Sequence, residues 1–282
     1  MIEEVVFGNI QMPGELFRLI IAFIGVSAAA YYDLFNKKNV PDTLLRVFLA
    51  VAFITNLIFY QEQLFLFSLA VALFFSAIGY IFYRVGQLGG ADLFVLASVM
   101  LLLPIHPSFV GMPFGMPFIF STMIFAGLLF SVYVMITFGI KLFRQEKRRP
   151  RFAYLLMIVP YAIFSYVYVT SILFSPVYFT ILTILFAVLI FFLVYKEDLS
   201  YMLAEKIKPE YLEPEDVIAL ELMDAEIVKK YDIKRLATEE EIKRLKSLDV
   251  ELWVYTQLPP FIPFLLIGMF LALFFSRSLL FM

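Results

Sequence analysis

The chain has 282 residues, 62% of them hydrophobic, with a mean hydropathy of +0.90 and a formal net charge of −2. That apolar content exceeds what a soluble core buries, and the near-neutral charge gives no bulk electrostatic case for nucleic acid. Cysteine is absent and His106 is the sole histidine, which removes disulfides, cysteine nucleophiles and zinc sites built from His and Cys.

The opening residues carry Glu3 and Glu4 in place of a basic segment and do not read as a cleavable signal. Beyond them, apolar runs of about 20 residues are long enough to cross a bilayer as helices. The sequence predicts eight spans, at 15–34, 43–60, 64–84, 92–104, 117–140, 152–174, 176–195 and 261–281. The fourth is short. The sixth and seventh are parted only by Ser175-Pro176 and together are too long for one crossing. The expected fold is a polytopic α-helical membrane protein of about eight transmembrane helices, with a small α/β cytoplasmic domain inserted before the last one.

Lysine and arginine set the expected orientation. Lys37, Lys38 and Arg46 follow the first span, Arg84 ends the third, and Lys141, Arg144, Lys147, Arg148, Arg149 and Arg151 follow the fifth. The alternate loops, at 61–63, 104–117 and 175–176, hold neither. This alternation predicts an outside N-terminus and basic loops in the cytoplasm. Arg84 reads as an interfacial anchor, the 141–151 cluster as the topology determinant, and His106 as a solvated loop residue on the outer side.

Residues 196–257 differ in kind. They contain 16 of the 24 acidic residues and 10 of the 22 basic ones. Thr238-Glu239-Glu240-Glu241 predicts a capping box opening a helix that runs to about Leu248. The alternation in Asp249–Tyr255 predicts a strand, and Val217–Leu222 a second. The expected division is therefore 1–195 as a transmembrane core, 196–257 as an acidic cytoplasmic domain and 258–282 as the final helix.

Chemistry points to two acids. Asp33 ends the first span and Asp92 opens the fourth, on the same predicted membrane face. Carboxylates at such positions face a bundle interior more readily than lipid. Taken singly, Asp33 also reads as an interfacial helix-end carboxylate, and Asp92 as a helix N-cap. Gly89-Gly90-Ala91 lets the backbone before Asp92 turn tightly and approach a neighbour. As a pair, one ionised carboxylate takes a proton from water while a protonated partner donates to a carbonyl or leaving amine. Such a pair titrates as a unit.

Asp33-Leu34-Phe35 with Val40-Pro41-Asp42, followed by Gly89-Gly90-Ala91-Asp92-Leu93, resembles the prepilin and preflagellin peptidases, membrane aspartic proteases with a GxGD motif. The resemblance is clearest over residues 20–105. It implies catalytic roles for Asp33 and Asp92, with Gly89, Gly90, Ala91, Pro41 and Asp42 supporting them. Ala91 stands where the motif has Gly. Pro259-Pro260-Phe261-Ile262-Pro263 before the last span is similar to the archaeal members, and the cysteine pairs of many bacterial members are missing. The implied activity is endoproteolytic removal of short basic leaders from archaellin or type IV pilin precursors at the cytoplasmic face of the cell membrane. Those precursors and membrane lipid are the expected partners, with no nucleic acid, no cofactor and no metal. The alternatives are a presenilin-like or signal-peptide-peptidase-like protease, a transporter using the two acids as proton or cation sites, and a pilus-assembly scaffold in which the acid pair is structural.

Overall fold

The computed structural model describes residues 5, 11–36, 39–86, 88–112, 115–144, 150–214, 216–246, 250–256 and 259–280. Glu3, Glu4, Lys37, Lys38, Lys147, Arg148, Arg149, Leu248 and Asp249, named above, lie outside the described residues. The described residues are mostly helical, at 73%, and contain one small two-stranded sheet.

Helices occupy every region read as a span. They are α1 (Glu15–Phe35), α2 (Asp42–Ile58), α3 (Glu62–Arg84), α4 (Gly90–Leu102), α5 (Phe118–Phe143), a 3₁₀ turn (Phe152–Met157) running into α6 (Ile158–Val169), α7 (Pro176–Val194) and, last, α11 (Ile262–Leu280). Among the described residues, five segments are long and apolar enough to cross a membrane: Glu15–Phe35, Glu62–Arg84, Phe118–Phe143, Phe152–Val169 and Pro176–Val194. Most of their surface is apolar and outward-facing, as lipid contact requires, because helices keep their own backbone groups paired. Helix α4 has 13 residues, about 20 Å of rise, well short of a hydrocarbon core of about 30 Å.

The chain divides into two compact units. The first comprises Met1–Tyr83, Leu88–Phe130 and Pro260–Met282. Its centre is the packing of α1, α2, α4 and α11. One face of α1 explains the arrangement. Arg18, Ala22, Val26, Ala29 and Asp33 recur at helical spacing and are all buried. The small residues in the middle of that stripe let neighbouring helices close on it. Phe48 of α2 lies directly over Gly25, where a Cβ would come within 2.1 Å of its ring. At Gly268 of α11 an added Cβ would stand 2.6 Å from the Thr122 carbonyl oxygen and 2.8 Å from the Ala126 amide. Here two helix backbones touch, which only glycine permits.

The second unit comprises Arg84–Gln87 and Ser131–Pro259. Helices α6 and α7 pair through Tyr161, which stacks on Phe186 at 3.9 Å and hydrogen-bonds Thr183 at 2.7 Å. Ser175 caps α7 and Pro176 fills its first turn, so Ser-Pro separates two helices. After α8 (Lys196–Leu203), strand β1 (Ala204–Ile207) pairs antiparallel with β2 (Leu252–Tyr255), with Ala204 opposite Tyr255 and Ile207 opposite Leu252. Between them lie the short helices α9 (Ala225–Lys230) and α10 (Glu239–Leu245). Leu212, Ile218, Ile233, Ala237, Ile242, Leu245, Leu252 and Val254 form a separate apolar core.

Three expectations are corrected here. The partner of β2 is β1, a segment that had not been read as a strand; Val217 and Ile218 make only isolated bridges, and Leu220–Leu222 turns into a 3₁₀ helix. Thr238 does cap α10 by accepting from the Glu241 amide, but the Glu241 carboxylate accepts from Lys234 N and Arg244 rather than from the cap residue. The capping box is therefore half formed. His106 sits in the loop after α4 yet is buried, at 6% exposure. Its Nδ1 lies 2.9 Å from the Met116 carbonyl and its Nε2 2.7 Å from Ser121 Oγ, so the ring holds the loop together instead of being solvated.

Candidate active site

The two ends of the first unit carry different polar chemistry. At one end Arg18 is 1% exposed. It donates from Nε to the Pro13 carbonyl, from one terminal nitrogen to Asn56 Oδ1 at 2.7 Å and to the Leu102 carbonyl, and from the other to the Phe59 carbonyl. Asn56 in turn donates to the Leu101 carbonyl. The guanidinium thus caps the C-terminal ends of α2 and α4 together, where unpaired carbonyls and the negative end of each helix dipole favour a cation.

These bonds also fix helix direction. The start of α1 meets the ends of α2 and α4, so α1 runs antiparallel to both. Asp33, near the end of α1, and Asp92, near the start of α4, consequently share the opposite end of the unit. Arg18 to Asp33 is about 22 Å of helix and Leu102 to Asp92 about 15 Å, so the acids lie within roughly two helical turns of each other along the axis.

Each carboxylate is held by a backbone amide at a helix start. Asp33 is buried, 7% exposed, and accepts from the Ile262 N–H at 3.1 Å, the first residue of α11. That bond satisfies one of the free amides of the last helix and places the acid in its positive field. Pro259 and Pro260, lacking N–H groups, precede this turn. Asp92 is half-buried and accepts from the Gly89 N–H at 3.1 Å. It is the third residue of α4, not the cap; Gly89 is the cap residue.

Gly89, Gly90 and Ala91 do not form a left-handed turn. Gly89 is extended, with φ −75° and ψ 153°, and Gly90 and Ala91 already belong to α4. What Gly89 provides is room, since a Cβ there would lie 3.2 Å from Asp92 Oδ2. Pro41 precedes α2, Asp42 is its first residue, and the Asp42 carboxylate pairs with Arg46 at 3.0 Å on an exposed surface. Asp42 is a helix-start residue. Arg84 is the exposed last residue of α3.

The Arg18–Asn56 cluster and the Ile262 amide were not read from the sequence. A detectable signal existed for the first: an arginine and an asparagine within apolar helices, each needing buried partners. The second is a backbone group and leaves no sequence signal. Among the described residues, no three His, Cys, Asp or Glu are grouped to hold a metal ion. Comparison with protein-family models, curated proteins and solved structures gave no match, so the functional reading rests on these residues.

Proposed function

We propose that the chain is a membrane aspartic endopeptidase of the prepilin/preflagellin type, with Asp33 and Asp92 as its catalytic pair. The observation that carries this reading is the placement of both acids at one end of two adjacent antiparallel helices, each fixed by a helix-start amide. In the reaction, one ionised carboxylate takes a proton from water. The water oxygen bonds to the scissile carbonyl carbon. The protonated partner gives its proton to the carbonyl oxygen, forming a gem-diol; as the C–N bond breaks, the amine takes the proton that the first carboxylate collected, and a gem-diol hydroxyl returns its proton to the partner as the C=O bond reforms.

The substrates are archaellin or pilin precursors with a short basic leader and a following apolar helix. Cleavage takes place at the cytoplasmic face of the cell membrane, with the N-terminus outside. The offset between the acids is compatible with closure on substrate, since catalytic geometry often tightens only in the bound state.

Purified protein in liposomes, given synthetic precursors with basic leaders, tests the reading. Wild type cleaves between leader and apolar helix. Asp33→Asn and Asp92→Asn each abolish cleavage while inserting normally, and the double variant is no worse than either alone. Full activity in either single variant contradicts the pair.

A further inference from the structure

The β1–β2 sheet of the second unit has one face that its own apolar core does not use. Side chains alternate along a strand, and residues opposite each other in an antiparallel pair share a face. Leu252 and Val254 are buried in the core with Ile242 and Leu245 of α10. Trp253 and Lys206, opposite each other in the register, therefore stand on the other face. The Lys206 ammonium lies 5.4 Å from the centre of an indole ring, that of Trp253, and Tyr201 of α8 meets the same ring edge-on at 5.6 Å. Tyr201 and Lys206 are exposed, and Trp253 is partly so. Chain continuity limits how far this face stands from the membrane. Helix α7 has 19 residues. That is about 28 Å of rise against a hydrocarbon core of about 30 Å, so Val194 marks the edge of the core. Arg151 marks the same edge with a charge: its amide donates to the Val194 carbonyl at 2.8 Å and its guanidinium pairs with Glu197. The Leu199 amide donates to the Tyr195 carbonyl at 2.9 Å, so α8 follows α7 with only Tyr195 between them. Tyr201 is then at most about 10 Å beyond Val194 along the chain axis. The polar layer flanking the hydrocarbon is about 5–8 Å deep, within reach of rings attached at that height.

We infer that this face is a membrane contact: Tyr201, Trp253 and Lys206 rest in the lipid headgroup layer of the bilayer that α7 crosses. The inference rests on α7 crossing a bilayer and is independent of the peptidase reading. Trp and Tyr favour the headgroup layer because one part of the ring system is apolar and the other hydrogen-bonds. Lys206 adds a cation that attracts phosphate oxygens. The module is acidic as a whole, but Glu251 and Glu221, which border this face, are paired. Glu251 lies 3.7 Å from Lys206; Glu221 accepts from the Tyr255 hydroxyl at 2.5 Å and lies 3.5 Å from Arg235. Glu205, opposite Val254, belongs to the inner face.

Trp253 is the sole tryptophan of the chain, so its fluorescence reports this face alone. The full chain goes into phospholipid vesicles carrying a spin-label quencher either on the headgroup or near the end of the acyl chain, with iodide as the aqueous quencher. The headgroup label removes most of the emission, the acyl-end label removes little, and iodide quenches less than it does free tryptophan. A second reporter separates contact by this face from mere nearness of the module. Trp253→Phe combined with Lys243→Trp moves the indole to an exposed position of α10, the helix that packs on the inner face of the sheet. That indole loses its emission to iodide and keeps it with the headgroup label. Emission of Trp253 lost mainly to iodide overturns the inference, because the ring is then in water. Loss mainly to the acyl-end label overturns it by placing the ring in hydrocarbon. Loss to none of the three overturns it in favour of a protein cover, such as a second copy of the chain. Equal headgroup quenching at positions 253 and 243 removes the distinction between faces and overturns it as well. The wild-type measurement needs no substitution and decides the matter even where the double variant fails to fold.

Discussion

Buried polar residues divide here into those that hold the bundle and those proposed to carry chemistry, and their partners separate the two groups. Arg18 donates to carbonyl and amide oxygens and lies over the Phe59 ring, an arrangement that neutralises the C-terminal ends of α2 and α4. Arg18→Met strands the Phe59 and Leu102 carbonyls and lowers stability by roughly 3 kcal/mol, the scale of losing hydrogen bonds to a charged group. Thermal unfolding in detergent reads this directly. His106 makes a pH prediction. Burial pushes its pKa from 6.5 down to about 4, partly opposed by the Met116 carbonyl. Because the folded state resists protonation, the stability held by the neutral ring is complete above pH 6.5 and is lost as pH falls through about 4. About 3 kcal/mol is at stake across that window. His106→Gln flattens this part of the pH–stability curve. An identical curve in wild type and variant contradicts the role. The sequence made Asp33 and Asp92 visible as acids at span ends, because carboxylates are rare there. It did not show that His106 is buried, since burial depends on Ser121 and Met116 folding back over the loop.

At the scale of elements, helix positions were legible because apolar runs and their Gly, Pro and Ser punctuation are local signals. Strand β1 was not. Ala204-Glu205-Lys206-Ile207 lacks β-branched enrichment, and its strand character comes from pairing with a segment about 50 residues away. The packing of α11 was equally hidden, since its glycine reads as one more small residue in an apolar run. Two glycines test whether close approach matters. Gly268→Leu forces α11 from the α5 backbone, with a loss of about 1–3 kcal/mol for overpacking. Gly127→Ala, where nothing lies within 4 Å of the new Cβ, is neutral or stabilising by up to about 1 kcal/mol from helix propensity. Equal effects at the two sites contradict the packing described for α11.

For the whole molecule, the two ends of the first unit set the logic: a cationic cap and a loop clasp at one, two acids and the start of the last helix at the other. The clasp is Glu15, which accepts from the Ser108 amide and hydroxyl at 2.9 and 2.7 Å. The proposed orientation makes the acid end cytoplasmic. Reporter fusions after Asn36, Gln145 and Lys230 then report cytoplasm, and fusions after Gln61 and Gly111 report the outside. A cytoplasmic signal at Gln61 separates Asp33 from the proposed side of cleavage. The central claim is that Asp33 and Asp92 serve one site. Its most direct test is cross-linking of Asp33→Cys with Asp92→Cys, using a short bifunctional thiol reagent on protein in liposomes with and without precursor peptide. The account predicts cross-linked protein, formed faster when peptide is bound. No cross-link under either condition, with both thiols shown to react singly, contradicts it.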